Sequence, residues 1–201
     1  MNSGLVAMAT FALVGAVTPG PVNVLAIGHG ARRPWSVPVL FVFGASVSYT
    51  LVVWAMGSGA GLLLRQPLLV QLSQWAGAAY LLYLAWRIAR APVGAADVPV
   101  NTGQTGGWTV FVQGFLTQAL NPKAWLVALS GVALFALPRP DVQRTLWLFC
   151  AVSFVACMLG VGVWAVLGMS LNHWLNTPVR QRRLHQALAA LLCLTVAGML
   201  A

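Results

Sequence analysis

Thr18-Pro19-Gly20-Pro21-Val22-Asn23 lies in the middle of an apolar run covering residues 4–28, and Asn121-Pro122-Lys123 lies in the middle of a second run, 109–136. A proline inside a helix has no N–H to donate and releases the carbonyl four residues earlier. In helical register those carbonyls belong to Gly15, Val17 and Gln118. Two prolines around a glycine predict that the first helix splits into two half-helices, and Pro122 predicts a break at the corresponding place in the second. The other eight prolines fall in loops or at the ends of apolar runs, where no helical hydrogen bond is lost.

Working outward from these breaks, a ruler of about 20 mostly apolar residues per span marks six spans, at residues 4–28, 37–64, 68–89, 109–136, 146–171 and 184–201. The chain is 60% hydrophobic and only 6% charged, where a soluble domain carries about 25% charged residues. That composition excludes a soluble enzyme, a disordered chain and a disulfide scaffold. No span alternates with a period of two, so the fold class is all-α integral membrane rather than a β-barrel. No Lys or Arg precedes the first span and five spans follow it, so a cleaved signal peptide is not expected. The segment 91–107, rich in Pro, Gly and small polar residues, reads as a flexible cytoplasmic loop. It separates residues 1–90 from 108–201, three spans each. An odd number per half predicts two inverted three-helix repeats, with helices 1 and 4 broken at prolines, the architecture of many secondary transporters.

The net charge of +9 belongs to the loops. Arg32, Arg33, Arg87, Arg90, Arg180, Arg182 and Arg183 mark the odd loops, against Arg65, Arg139 and Arg144 in the even ones. By the positive-inside rule the odd loops are cytoplasmic and both termini lie outside the cytoplasm. Trp35, Trp86, Trp108, Trp147 and Trp174 fall near span ends, as interfacial residues do. The cations therefore orient the chain in lipid, and no nucleic-acid partner is read. Cys150, Cys157 and Cys193 all lie inside apolar runs without a C-x-x-C pair. They support neither a redox pair nor a metal site, and Cys150 and Cys157, which share a helix face, read as packing. No cofactor motif appears.

Lys123 is the one formal charge deep within a span. Burying it there costs at least about 2.5–3.5 kcal/mol on insertion scales, and no intramembrane Asp or Glu exists to pair with it. Its expected partners are freed carbonyls, polar side chains or the carboxylate of a visiting substrate.

Several pieces together resemble a known family. Thr18-Pro19-Gly20-Pro21 with Asn23, Gly77-Ala78-Ala79-Tyr80-Leu81 with Tyr83, and Gly114-Phe115 leading to Asn121-Pro122-Lys123-Ala124 look like the LysE/RhtB exporters in order, spacing and total length. The resemblance covers essentially the whole chain. It implies a six-helix exporter of amino acids or their derivatives in the bacterial inner membrane, with proton-linked antiport and homodimers. Family members often carry an acidic residue in the membrane region and this chain has none, which leaves the proton-coupling group unassigned. His29 is the nearest titratable candidate, although an interfacial histidine beside Arg32 and Arg33 is the stronger reading of it.

The expected site lies near the bilayer midplane between the two breaks and comprises Thr18, Pro19, Gly20, Pro21, Asn23, Gln118, Asn121, Pro122 and Lys123. A zwitterionic amino acid would place its carboxylate near Lys123 and its ammonium near the carbonyls of Gly15, Val17 or Gln118. Thr18, Asn23 and Asn121 would add directional hydrogen bonds. With no membrane acid to receive a cationic side chain, a neutral or small polar substrate is favoured. Gln113 and Thr117 fall within two turns of Asn121 and are candidates for the same cavity. Gln71, Ser73 and Gln74 read as interfacial. Gly57-Ser58-Gly59-Ala60-Gly61 reads as a close-packing segment. An intramembrane serine protease using Ser58 with His173 or His185 is excluded by topology, because the serine and the histidines fall on opposite sides, so no enzyme is read. A non-transporting membrane scaffold or accessory subunit, and a channel, are the alternatives of other classes.

Overall fold

The computed structural model describes residues 2–31, 35–59, 66–91, 106–172 and 177–200. Among them are eight α-helices, one short π-helical segment and no strand. Helices α1 (Asn2–Val17) and α2 (Pro21–Gly30) are the two parts of the first apolar run, bent by 68° at their junction. Helices α5 (Gly107–Ala119) and α6 (Pro122–Gly131) divide the fourth run in the same way, with a bend of 63°. Each second half-helix opens on a proline at its first position, where the missing N–H costs nothing and the fixed φ suits a helix start. The breaks predicted at Pro19–Pro21 and Pro122 are both present.

Between and beyond them run α3 (Ser36–Gly57), α4 (Pro67–Ala89), α7 (Val142–Asn172) and α8 (Pro178–Leu200). α3, α7 and the two bent pairs are long and apolar enough to cross a membrane. α4 and α8 have 23 residues each, about 34 Å at 1.5 Å per residue, yet polar residues dilute them. Gln71, Gln74 and Arg87 occur in α4, and Arg180 through Gln186 include three arginines and a histidine in α8. The boundaries shift where local chemistry dictates. α3 stops at Gly57 rather than continuing to residue 64, because Gly59 turns the chain at φ 104°, a left-handed conformation that glycine adopts without a Cβ clash. Residues 60–65 lie outside the described residues. α7 begins at Val142, since Thr145 donates both its N–H and its hydroxyl to the carbonyl of Asp141, each at 3.0 Å, and so anchors an extra turn.

α3 and α7 form the centre. α5 packs on α3 and α1 on α7, while α6 packs on α3 and α2 on α7; α3 also packs on α7, and α4 on α8. The tightest crossings use glycines outside the segment 57–61. A Cβ on Gly44 would collide with the carbonyl of Phe111, and one on Gly114 with that of Phe41, so α3 and α5 meet backbone to backbone. Gly30 and Gly168 do the same for α2 and α7, against Ala165 and Ile27. Small residues at such crossings are how membrane helices gain van der Waals contact. Large apolar side chains are meanwhile exposed on nearly every helix, Val6, Leu72, Trp75, Leu126, Leu159 and Leu194 among them, as expected where lipid is the solvent.

Candidate functional site

The last backbone bond of α1 is Thr18 N–H to the Val14 carbonyl at 3.0 Å. Pro19 and Pro21 then supply no donors, so the C-terminal carbonyls of α1 must find partners elsewhere. Asn23, on the first turn of α2, reaches back to them. Its Nδ2 donates to Thr18 O at 2.8 Å, Ala16 O at 3.1 Å and Val17 O at 3.4 Å. The indole of Trp164 on α7 donates to Val17 O at 3.0 Å. Lys123 arrives from the other half of the chain, where its Nζ donates to the carbonyl of Thr18 and, at 3.5 Å, to that of Pro19.

The second break is organised around Asn121, the N-cap of α6. Its Oδ1 accepts from Lys123 N–H at 3.2 Å, and its Nδ2 donates to Gln118 Oε1 at 3.2 Å. The Gln118 carbonyl, expected to be free, accepts from Asn121 N–H at 3.2 Å, and the indole of Trp125 covers Ala119 O at 2.7 Å. Val17 O is likewise occupied, by Trp164. The carbonyls that Lys123 takes are those of Thr18 and Pro19, beyond Gly15 and Val17, which helical register indicated.

Between the breaks lies a cleft with about 350 Å³ of space free of protein atoms, its open mouth included. Of the expected residues, Gly20, Asn23, Gln118, Asn121 and Lys123 line it. Pro21 is buried and Pro122 half-buried, and both act through the backbone break. The side chains of Thr18 and Pro19 are exposed outside the lining, and the Thr18 hydroxyl bonds back to Val14 O at 2.6 Å. Gln113 and Thr117 do not line the cleft. Thr117 is buried, with its hydroxyl on Gln113 O at 2.6 Å.

Besides small and aliphatic residues, two lining side chains of other chemistry were not expected. Tyr49 of α3 and Cys157 of α7 both face the cleft, so Cys157 has a place in the wall, while Cys150 packs with its Sγ 4.0 Å from Thr50 O. His29, near the C-terminal end of α2, is buried with its ring stacked on Phe41 at 4.5 Å between centroids, where α2 packs on both α3 and α7. Arg32, Arg33 and His173 lie outside the described residues.

The arrangement concentrates polarity in an apolar bundle. Lys123 is half-buried and is the one charged residue among those lining the cleft. Asn23 is only 1% exposed, and its Oδ1 has no hydrogen-bond partner among the described residues. A buried acceptor left unmade costs about 1–3 kcal/mol. Lysine ammonium and carbonyl ends can together bind a small molecule with both an anionic and a cationic group.

The family model for LysE type translocators matches residues 13–201. The chain belongs to the LysE family of translocators. It is 30% identical to cysteine/O-acetylserine efflux proteins from Salmonella paratyphi A and Salmonella typhi, over 92% of this chain and 92% of each relative. It is 29% identical to the protein of the same description from Escherichia coli O157:H7, again over 92% of both chains. No solved structure matches it. This translocator therefore shares 92% of its length with efflux proteins, and the cleft between its two broken helices is the candidate substrate site.

Proposed function

We propose that this LysE-family protein is a secondary transporter that exports an amino acid or a small amino-acid derivative from the bacterial cytoplasm across the inner membrane. The observation that carries the reading is the cleft itself, which unites both proline breaks around one ammonium and a set of carbonyl ends. The absence of a carboxylate among its lining residues favours a neutral or small polar substrate. The efflux activity named for the relatives, on cysteine and O-acetylserine, agrees with that chemistry.

The residues assigned to substrate are Gly20, Asn23, Gln118, Asn121 and Lys123 from the cleft. Thr18 and Pro19 act through their carbonyls, and Pro21 and Pro122 open the helices. Transport by alternating access is supported by the packing. α1 and α5, α2 and α6, α3 and α7, and α4 and α8 exchange roles in the helix pairings, as they would under a two-fold axis in the membrane plane. On this reading α4 and α8 complete six spans, both termini lie outside the cytoplasm, and the helices rock about the fixed cleft. Proton-linked antiport and a homodimer enter through the family resemblance.

The test is efflux from proteoliposomes loaded with a panel of neutral, polar and basic amino acids, with and without a pH gradient. Neutral or small polar amino acids are expected to leave, faster under the gradient. Movement of no solute under any gradient overturns the reading in favour of a scaffold, and gradient-independent leakage favours a channel.

A further inference from the structure

We propose that the Lys123 ammonium is a built-in occupant of the substrate's ammonium subsite, and that a zwitterionic amino acid binds by inserting between Lys123 and the carbonyl end of α1. The inserted ammonium takes the Thr18 and Pro19 carbonyls, and the carboxylate takes Lys123. The inference rests on the transport reading above and specifies which ligand chemistry opens the site.

The carbonyl end of α1 is a cation site in its own right, because a helix C-terminus concentrates negative charge. The cation now on it comes from α6, across the cleft. The donors around it are of two kinds. Asn23 is almost wholly buried and holds Ala16, Val17 and Thr18 from inside the bundle. Lys123 approaches from the half-exposed side on a flexible four-carbon stem with a compact charge. If the lysine swings away, Thr18 O keeps its bond from Asn23, but Pro19 O loses the donor it has among the described residues. Both bonds of the lysine lie on the exposed side, within reach of an incoming donor that replaces them.

The lysine also needs somewhere to go. No carboxylate lines the cleft, so an amine that displaced Lys123 would strand one ammonium beside another. A ligand that brings an ammonium and a carboxylate together satisfies both ends at once. The incoming ammonium takes the same two carbonyls that Lys123 now holds, Thr18 O and Pro19 O, and its carboxylate pairs with the displaced lysine. That second charge lets the substrate displace a tethered competitor.

The test is calorimetric binding to the purified full-length chain in detergent. L-cysteine is compared with N-acetyl-L-cysteine, which lacks the ammonium, and cysteamine, which lacks the carboxylate. L-alanine is compared in the same way with N-acetyl-L-alanine and ethylamine. For the wild-type chain at least one amino acid is expected to bind, with both of its one-ended analogues weaker by at least about tenfold, the loss of one charge-assisted hydrogen bond. In Lys123→Met the subsite is vacated, so the amine analogue is expected to bind more tightly than it binds wild type while the amino acid binds less tightly. Wild-type binding of an analogue as tight as that of its parent overturns the inference, with or without a folded variant. So does a folded Lys123→Met that gains no amine binding. If neither amino acid binds wild type the inference fails; the transport reading is judged separately by whether proteoliposomes release any solute.

Discussion

The two breaks bend their helices almost equally, 68° and 63°, and each covers one freed carbonyl with a tryptophan indole. They differ in where the other donors come from. The second break is self-contained, since Asn121 caps α6, bonds Gln118 and supplies the N–H for the Gln118 carbonyl from within four residues. The first borrows. Its cap position is Gly20, with no side chain to offer, and its carbonyls depend on Asn23, on Trp164 from α7 and on Lys123 from α6. A break that satisfies itself is a rigid platform, and one satisfied from outside can change partners. The second break therefore supplies the fixed charge and the first the exchangeable acceptors.

The largest effect that would break this comparison is at Lys123. Lys123→Met is expected to lower efflux by roughly 10- to 100-fold, the scale of a lost charge-assisted bond at the site. Thermal melting in detergent should stay nearly constant, because about 2.5–3.5 kcal/mol of relieved burial cost opposes about 1.5–3 kcal/mol of lost hydrogen bonding. Lys123→Arg should transport poorly as well, since a planar fork does not replace a compact ammonium in a small cleft. Normal efflux by the Met variant would remove the lysine from the mechanism, and a collapse in melting matching the loss of efflux would make it a scaffold residue.

A second pair of variants sets the breaks against each other in stability. Asn23→Ala strips a donor from three carbonyls inside the bundle, at a cost of about 1–3 kcal/mol for a buried group left unmade. Asn121→Ala removes an N-cap, typically about 1 kcal/mol. Melting curves should therefore rank Asn23→Ala below Asn121→Ala, and the opposite order would show that the first break is not the dependent one.

Much of this was legible before any coordinates. Missing N–H groups are a property of the residue, so Pro19, Pro21 and Pro122 announce their breaks in the sequence, and a lone intramembrane cation such as Lys123 announces that it needs partners. The partners themselves were not legible. Counting back four residues names Gly15, Val17 and Gln118, but the bends bring Trp164 and the Asn121 N–H onto the last two, and the lysine bonds Thr18 and Pro19 instead. The three hydrogen bonds from Asn23 exist because the chain folds back on itself within seven residues, which no helical periodicity encodes. Tyr49 and Cys157 are not legible as cleft residues, because Cys157 reads as packing beside Cys150 and the polar residues of α3 and α7, Ser46, Ser48, Thr50 and Ser153 among them, do not separate a cleft wall from a helix contact. The burial of His29 is not legible either, since proximity to Arg32 and Arg33 in sequence does not foretell how closely α2 packs.

The indoles give a smaller and more selective contrast. Trp164→Phe and Trp125→Phe each remove one hydrogen bond, about 0.5–1.5 kcal/mol, so the two should melt alike. Trp164 serves the exchangeable break, so its variant is expected to weaken substrate binding several-fold, about the factor such an energy represents. Trp125→Phe should leave binding unchanged. Equal effects of the two on affinity would erase the functional difference between the breaks.

The smallest expected effect isolates the space beside the lysine. Gly20 adopts an extended backbone at φ −170°, which any residue can take, so Gly20→Ala introduces no strain. Its new Cβ would stand 3.5 Å from Lys123 Cδ and 3.7 Å from Nζ, ordinary contact distances, so the empty protein should melt as before. The methyl group would nevertheless occupy room that Lys123 needs in order to swing from the Thr18 and Pro19 carbonyls toward an incoming carboxylate. Gly20→Ala should therefore raise the concentration of amino acid needed for half-maximal efflux by a few-fold, roughly 1 kcal/mol or less, with the maximal rate little changed. The cavity-facing glycine has no counterpart at the second break, where Asn121 holds the cap. An efflux curve identical to wild type would mean that the lysine does not move through that space, and that the first break is as fixed as the second.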